Sequence, residues 1–464
     1  MKKSCGSMIH YYYSTQGQIL QQFSMFTQIK KLIPHHFPLR ILYHKCSAIV
    51  AALRFGFPAR GMNVIGVTGT DGKTTTSFLV TQLLLLSGKK VGMTTTVGFQ
   101  ILDTYTPNLT HKTTLGRFGL QQMLRKMKDL AVTDVVVEVS SHALDQYRVW
   151  GIPFSTGIFT NLSREHLDYH GTMERYFFAK KRLFDMVAGK KEEGTFIINA
   201  RDTYAQRLLS TPFVRKILFT QGGLPKDLTP EQDWIVFDAR NVTSTPFGQS
   251  FDLHVEGKIY PCEIGLVGEF NVDNMLAAMA AAYAEGVSIE RMIPYLSKLT
   301  AVPGRMEEVM NTHGKGRIFI DYAVTPEALT KCYESLRGIT GGNLVAVLGA
   351  CGDRDQGKRP QMGDIATRLC DTVIFTDEES YTEDPREIIR MLVVGAKEHN
   401  RDNYEVVEDR REAIERAISI LKKDDVLVIT GMGDQRSRVV NEVMEPWSDR
   451  EVVGELLEKT AAYL

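Results

Sequence analysis

The sequence predicts an α/β protein built from two mostly parallel sheets, one central and one nearer the C-terminus. Three observations carry this. The run Val64-Ile-Gly-Val-Thr-Gly-Thr-Asp-Gly-Lys-Thr-Thr-Thr76 passes from an apolar strand through a Gly-rich turn into a helix. Short apolar runs such as Asp134 to Glu138 and Thr156 to Thr160 then alternate with helix-like segments, as in parallel sheets covered by helices. The alternation resumes after Thr300, with strands expected at Arg317 to Asp321, Leu344 to Leu348, Thr372 to Thr376 and Val426 to Thr430, and a helix over Pro385 to Glu398. At 464 residues, 43% hydrophobic and 24% charged, the chain can form two or three units with separate cores. The expected division is a basic, partly helical extension over 1–60, a central unit over 61–300 and a last unit over 301–464, joined at Pro303-Gly304.

The first unit is set apart by charge. Met1 to Thr70 contains no Asp or Glu, while Lys2, Lys3, Lys30, Lys31, Arg40, Lys45, Arg54 and Arg60 are basic. The whole chain balances 55 basic against 55 acidic residues, which gives no global reason to expect nucleic acid as a partner. Ile41 to Phe57 is apolar but interrupted by His44, Lys45 and Arg54; its longest uncharged stretch falls far short of the ~20 residues that span a bilayer. A helix packed on the next unit is expected here, with rest on an anionic membrane surface as the alternative. Six scattered cysteines without metal-type spacing predict a reducing, cytoplasmic setting.

In the central unit, Gly69 and Gly72 let backbone N–H groups approach phosphate oxygens, Lys73 adds a point charge and Thr74 a hydroxyl for a magnesium ion. The helix continues through Phe78, Leu79, Leu83 and Leu86 to a stop at Gly88, its positive end aimed at the phosphates. The usual spacing places a glycine at Val67; here the extra glycine is Gly66, which reads as a shorter loop. Strand C-termini are where open α/β sheets bind ligands, and Glu138 closes one strand while Asn161 to His170 follows the next. Carboxylate oxygen suits magnesium; His166 is either a further ligand or a hydrogen-bonded structural residue. Helix Met173 to Val187 places Tyr176, Leu183, Phe184, Val187 and also Lys180 on one apolar face. A cation facing inward must be paired, deprotonated or modified. The ordinary reading is a snorkelling lysine; the alternative is a carbamylated lysine, an anion able to help bind metal.

The strings Val67 to Thr75, Glu138-Val-Ser-Ser-His142, Asn161-Leu-Ser-Arg-Glu-His-Leu-Asp-Tyr-His-Gly171, Gly268-Glu-Phe-Asn-Val-Asp-Asn274, Pro303-Gly-Arg-Met-Glu307 and Gly352-Asp-Arg-Asp-Gln-Gly-Lys-Arg-Pro360 together resemble the Mur ligases. The chain is most similar to the MurE type, UDP-N-acetylmuramyl-tripeptide synthetase, from about Asn63 onward. The resemblance implies an ATP-dependent amide-bond ligase of peptidoglycan synthesis. It implies a central P-loop ATPase domain, a C-terminal Rossmann-like domain that closes over it, an acyl-phosphate intermediate and two Mg2+ ions. By that resemblance Gly69, Thr70, Asp71, Gly72, Lys73, Thr74 and Thr75 hold the ATP phosphates. Thr74, Glu138, His166 and carbamylated Lys180 serve the metals, and Asn274, Arg305 and Asp321 contact adenine, phosphate and ribose. Lys73, Glu138, His166, Lys180 and Arg305 form the implied catalytic set.

Thr113, Thr114, Ser140, Gln146 and Arg148 match family positions that hold the muramyl peptide, although each alone also suits a capping or surface role. Segment 1–60 is shorter than the family's UDP-binding domain, so the acceptor is expected to be held differently or to lack the UDP handle. The amino-acid pocket departs as well. Glu378-Glu-Ser-Tyr381 stands for Asp-Asn-Pro-Arg, Gly431-Met-Gly-Asp-Gln435 for Gly-Lys-Gly-His-Glu, and Asp321-Tyr-Ala-Val324 for Asp-Tyr-Ala-His, while Arg354 remains suited to gripping an α-carboxylate. The implied partners are small molecules (ATP, a muramyl peptide and an amino acid), and a monomer is expected. The alternatives are a nucleotide-binding homologue without turnover and a ligase for a folate-type polyamide.

Overall fold

The computed structural model describes residues 38–461 except 111, 190–193, 213, 230, 232, 312–315 and 441. Lys2, Lys3, Cys5, Lys30 and Lys31 of the basic extension lie outside the described residues. Strand Asn63–Thr68 sits inside an eleven-stranded sheet, paired in parallel with Asp134–Glu138 on one side and Thr156–Phe159 on the other. Beyond Thr156–Phe159 follow Thr195–Asn199, Arg215–Gln221 and Ile235–Thr245, all parallel, and then the antiparallel strands Gly248–Val255 and Lys258–Ile264. Beyond Asp134–Glu138 come parallel Val91–Thr94 and antiparallel Gly98–Ile101 and Thr104–Pro107. The expected parallel character therefore holds in the middle, and both margins turn back by hairpins.

Alternation along the central strands separates two cores. Ile65, Val67 and Val136 face helices Lys73–Leu86 and Phe270–Ala284, whereas Val64, Val135 and Val137 face helices Arg117–Asp129 and Met173–Ala188. Gly66 belongs to this packing. A Cβ there would lie 2.7 Å from Leu183 Cδ1 and 2.9 Å from Phe154 Cε1, so its missing side chain lets helix Met173–Ala188 approach the sheet. The displaced glycine thus lies within the strand and permits helix–strand contact, and only residues 69–72 separate that strand from helix Lys73–Leu86.

The second sheet has six strands in the order Glu307–Val309, Arg317–Asp321, Val426–Thr430, Leu344–Leu348, Thr372–Phe375 and Tyr404–Val406, antiparallel only at its first pair. The expected strands are found, one of them ending at Phe375 instead of Thr376. Helix Pro385–Glu398 begins where expected, because the Asp384 side chain accepts from Arg386 N. At the joint, Gly304 has φ 67°, and a Cβ there would sit 2.1 Å from Asp434 N. The start of the second unit therefore packs directly on the backbone that follows strand Val426–Thr430.

Helix Pro38–Phe55 buries Ala48, Ala51 and Ala52, and packs beside Arg117–Asp129, whose Arg117 donates to His44 Nδ1 and to Gln146 O. The expectation that this segment packs on the next unit is met. No described helix is long and apolar enough to cross a membrane.

The second sheet rests on a buried ion pair. Arg410 Nε and Nη2 donate to Asp449 at 2.9 and 2.7 Å, and Nη2 also donates to Thr430 O at 2.9 Å. Both side chains are wholly buried. Arg410→Ala leaves Asp449 charged and unpaired, so chemical denaturation should show a loss of roughly 3–5 kcal/mol. A loss below about 1 kcal/mol would contradict this assignment.

Candidate active site

The phosphate loop is held from beneath. Thr70 N donates to Asn161 O and Asp71 N to Asn161 Oδ1, each at 2.9 Å, and Thr160 Oγ1 donates to Asp71 O at 2.6 Å. Gly72 has φ 77°, and a Cβ on it would lie 2.3 Å from Asn274 Oδ1. Only glycine combines that backbone with that approach. Helix Lys73–Leu86 starts immediately afterwards, with no side-chain cap, so its first N–H groups face the cleft and suit an anion. Lys73 Nζ donates to Thr70 O at 2.6 Å, which holds its charge over the loop.

Beside the loop sit two buried groups of opposite character. Glu138 accepts from Thr74 Oγ1 at 3.0 Å, from Thr96 N at 2.8 Å and from Thr96 Oγ1 at 3.0 Å. Lys180, 1% exposed, donates from Nζ to Gly69 O at 2.5 Å and lies 4.4 Å from the centre of the Tyr176 ring. Burial, reinforced by the Lys73 ammonium, pushes its amine well below the usual lysine range, against the opposite pull of Glu165 and Asp71. The side chain is therefore not a snorkelling cation. His166 adopts a left-handed φ of 55°; its Nε2 lies 3.6 Å from Glu165 Oε2, and its ring stands edge-on to His142.

These residues line one cleft, together with Thr96, Thr113, Ser140, Arg305 and Tyr322. A second cleft is lined by Phe270, Asn274, Arg305, Asp321 and Lys331, and the two share Asp71, Gly72 and Thr75. Arg305 spans both. Its guanidinium lies 4.6 Å from the Tyr322 ring centre, and its Nε is buried without a hydrogen-bond partner. Asp321 accepts from Met306 N at 2.7 Å, and burial raises its carboxyl against the pull of Arg305. Among the described residues no three His, Cys, Asp or Glu side chains converge as a ready metal cage. The Thr74 hydroxyl and Glu138 carboxylate fit magnesium, which characteristically takes one or two protein oxygens plus substrate phosphates.

The remaining predicted residues fall into two groups. Thr114 Oγ1 donates to Glu138 O at 2.8 Å and accepts from Ser140 N at 3.0 Å; Arg148 donates to Thr114 O at 3.0 Å and to Gln146 Oε1 at 3.1 Å. This network backs Glu138, and of its members only Ser140, with neighbouring Thr113, lines the cleft. Arg354, Glu378, Tyr381, Gly431 and Gln435 line neither cleft. Glu378 Oε2 is buried without a partner against Gly431, where a Cβ would lie 2.1 Å away. The Tyr381 hydroxyl and Gln435 Nε2 each donate to Glu379 Oε2 at 3.4 Å, and Arg354 is exposed beside Cys351.

Sequence reasoning missed Thr96, Asn161, Tyr322, Lys331 and Asp434. Lys331 pairs with Asp71 at 3.7 Å, and the Asp434 carboxyl, raised mainly by burial, faces Arg305 and Glu138. Asn161 stood within a quoted string, and its place at a strand end was the available signal. Lys331 lies within helix Pro326–Arg337 with no local signal at all.

A glycine loop opening a helix, beside a buried carboxylate and a buried amine and lined by an arginine from a second α/β unit, is the arrangement of an enzyme that handles a nucleotide's phosphates. Comparison with known proteins makes this specific. The Mur ligase middle domain matches residues 67–282, and the Mur ligase glutamate ligase domain matches 304–433. The UDP-N-acetylmuramoyl-L-alanyl-D-glutamate–2,6-diaminopimelate ligase 1 of Clostridium acetobutylicum is 37% identical over 435 residues, covering 93% of this chain and 86% of that protein. The corresponding ligase of Aquifex aeolicus is 37% identical over 403 residues, 87% of this chain and 79% of its own length. A solved diaminopimelate ligase of the same name superposes with a TM-score of 0.62 at 31% identity, covering 87% of this chain and 79% of that one. The chain belongs to the Mur ligase family. It is an ATP-dependent, Mg2+-using amino-acid ligase of peptidoglycan precursor synthesis.

Burial of Glu378 has a pH signature. Its carboxyl, ordinarily near 4.5, is pushed up to about 7 by burial. The folded chain holds this proton more tightly than the unfolded one, so the contribution of Glu378 to stability is greatest below pH 4.5 and is lost as pH rises towards 7, by at most roughly 3 kcal/mol. Glu378→Gln should flatten that fall and raise the melting temperature at pH 8 but not at pH 4.5. Equal shifts at both pH values would contradict a buried, titrating Glu378.

Proposed function

We propose that this enzyme joins an amino acid to the free carboxylate of a UDP-N-acetylmuramyl dipeptide or a related muramyl-peptide acceptor. The observation that carries the reading is the buried Lys180 amine held against Gly69 O beside Glu138, where burial disfavours its charged form. A neutral buried amine can add to carbon dioxide, forming a C–N bond and releasing one proton, and the resulting carbamate supplies an anionic oxygen pair. Thr74, Glu138, His166 and carbamylated Lys180 would hold two Mg2+ ions, which neutralise the charge gathered between phosphoryl group and carboxylate. The loop Gly69 to Thr75 and Lys73 orient the triphosphate, Arg305 follows the transferring phosphate from the second unit, and Asn274 and Asp321 receive adenine and ribose.

The acceptor carboxylate oxygen attacks the γ-phosphorus and ADP leaves. The neutral amine of the incoming amino acid then adds to the acyl carbon, and the tetrahedral intermediate expels phosphate and loses one proton to leave the amide. We assign Thr113 and Ser140 to the acceptor, with Thr114, Gln146 and Arg148 behind them, and Arg354, Tyr381 and Gln435 to an amino-acid pocket outside the two clefts, with Glu378 and Gly431 buried beside them. Retention of Lys73, Glu138, His166 and Lys180 favours turnover over a purely binding role. The relatives' names point to diaminopimelate, but Tyr381 and Gln435 stand where that pattern has arginine and glutamate, which favours an altered amino acid. We assign the working units to 61–300 and 301–464 of a cytoplasmic monomer.

The direct assay is phosphate release from ATP with UDP-muramyl dipeptide and a panel of amino acids. Release that requires one amino acid supports the reading, and none with any of them overturns the acceptor assignment. Lys180→Ala should abolish ligation, with partial rescue by a short carboxylic acid; full activity in that variant would remove the carbamate from the mechanism.

A further inference from the structure

Helix Pro38–Phe55 has two faces of unlike residues. Ala48, Ala51 and Ala52 are buried, while Leu39, Leu42, Ile49, Val50 and Leu53 are exposed, Leu39 by 67% and Leu53 by 62%. At about 100° per residue the five large aliphatic positions fall within one arc of roughly 100°, opposite the alanines. This inverts the ordinary surface helix, in which the large apolar side chains face the core. A continuous exposed aliphatic stripe marks an interaction surface.

The edges of the stripe identify the partner. On the same wheel Arg54 borders one side and Lys45, whose ammonium lies 5.0 Å from the centre of the Tyr147 ring, borders the other, and both residues are exposed. The acid-free stretch from Met1 to Thr70 leaves no carboxylate on this helix or its flanks, although the whole chain is balanced. An aliphatic arc with cationic borders is the pattern of a helix lying in a lipid interface, with alkyl groups at the acyl boundary and cations at the anionic headgroups.

We propose that this face of helix Pro38–Phe55 docks the ligase on an anionic lipid surface. The inference is independent of which acceptor or amino acid the enzyme uses. The test is flotation of the full chain with phosphatidylcholine vesicles, with and without phosphatidylglycerol, at low and high salt. Binding should require phosphatidylglycerol and fall with salt. Leu42→Ser, Val50→Ser and Leu53→Ser combined should weaken it by about tenfold or more, and Lys45→Ala with Arg54→Ala should weaken it on acidic vesicles. An unchanged melting temperature and ATP-dependent phosphate release would show that the variants are folded. No vesicle binding by the full chain, equal binding to neutral vesicles, or undiminished binding by the serine variant would each overturn the proposal. So would a wild-type dimer in sedimentation that the serine variant dissociates, since the face would then belong to a second copy.

Discussion

The contact on which the site depends is that between Lys180 Nζ and Gly69 O. It requires a helix pressed close to the central sheet and a loop whose carbonyl faces inward. Gly66 supplies the first condition, because any side chain there would push Leu183 and Phe154 outward. Gly69 supplies the second; a Cβ on it would lie 1.8 Å from Thr160 Oγ1. With both in place, a lysine is held dry between the phosphate loop and Tyr176, where its charged form is disfavoured. Burying an amine so completely costs stability, which is the trade expected at a working site.

The nucleotide cleft is divided between two sheets. The first contributes the loop, Glu138 and Lys180; the second contributes Arg305, Asp321 and Lys331. Gly304 lies at the joint and admits the backbone at Gly433 and Asp434. Arg305 and Asp434 are therefore positioned by the same few residues, and a small rotation there moves both relative to Glu138. Arg305 lines both clefts, and its guanidinium brings a positive charge to the space they share.

Much of this was legible in the sequence. The strand–loop–helix run, the strand ends at Glu138 and Asn161, and the inward lysine all follow from local periodicity and residue chemistry. The central strands were visible because they are buried on both faces and read as continuous apolar runs. The marginal strands were not. Gly248–Val255 alternates buried and half-exposed residues within a polar stretch, and Thr104–Pro107 is exposed throughout. Gly66 was seen, but its packing role was not, because its neighbours Leu183 and Phe154 are distant in sequence. Lys331 was invisible for the same reason, and Tyr322, although it lies within Asp321 to Val324, was given no role, since the packing of the two units determines what each of them does. The resemblance to the Mur ligases supplied the functional direction that position alone did not.

The account turns on the chemical state of Lys180. The most direct measurement is a ¹³C spectrum of the protein equilibrated with ¹³C-bicarbonate, compared with that of a Lys180→Ala variant. A protein-bound carbamate resonance in the wild type that is missing from the variant is the predicted result. A wild-type spectrum without that resonance, under conditions in which the enzyme turns over, would contradict it.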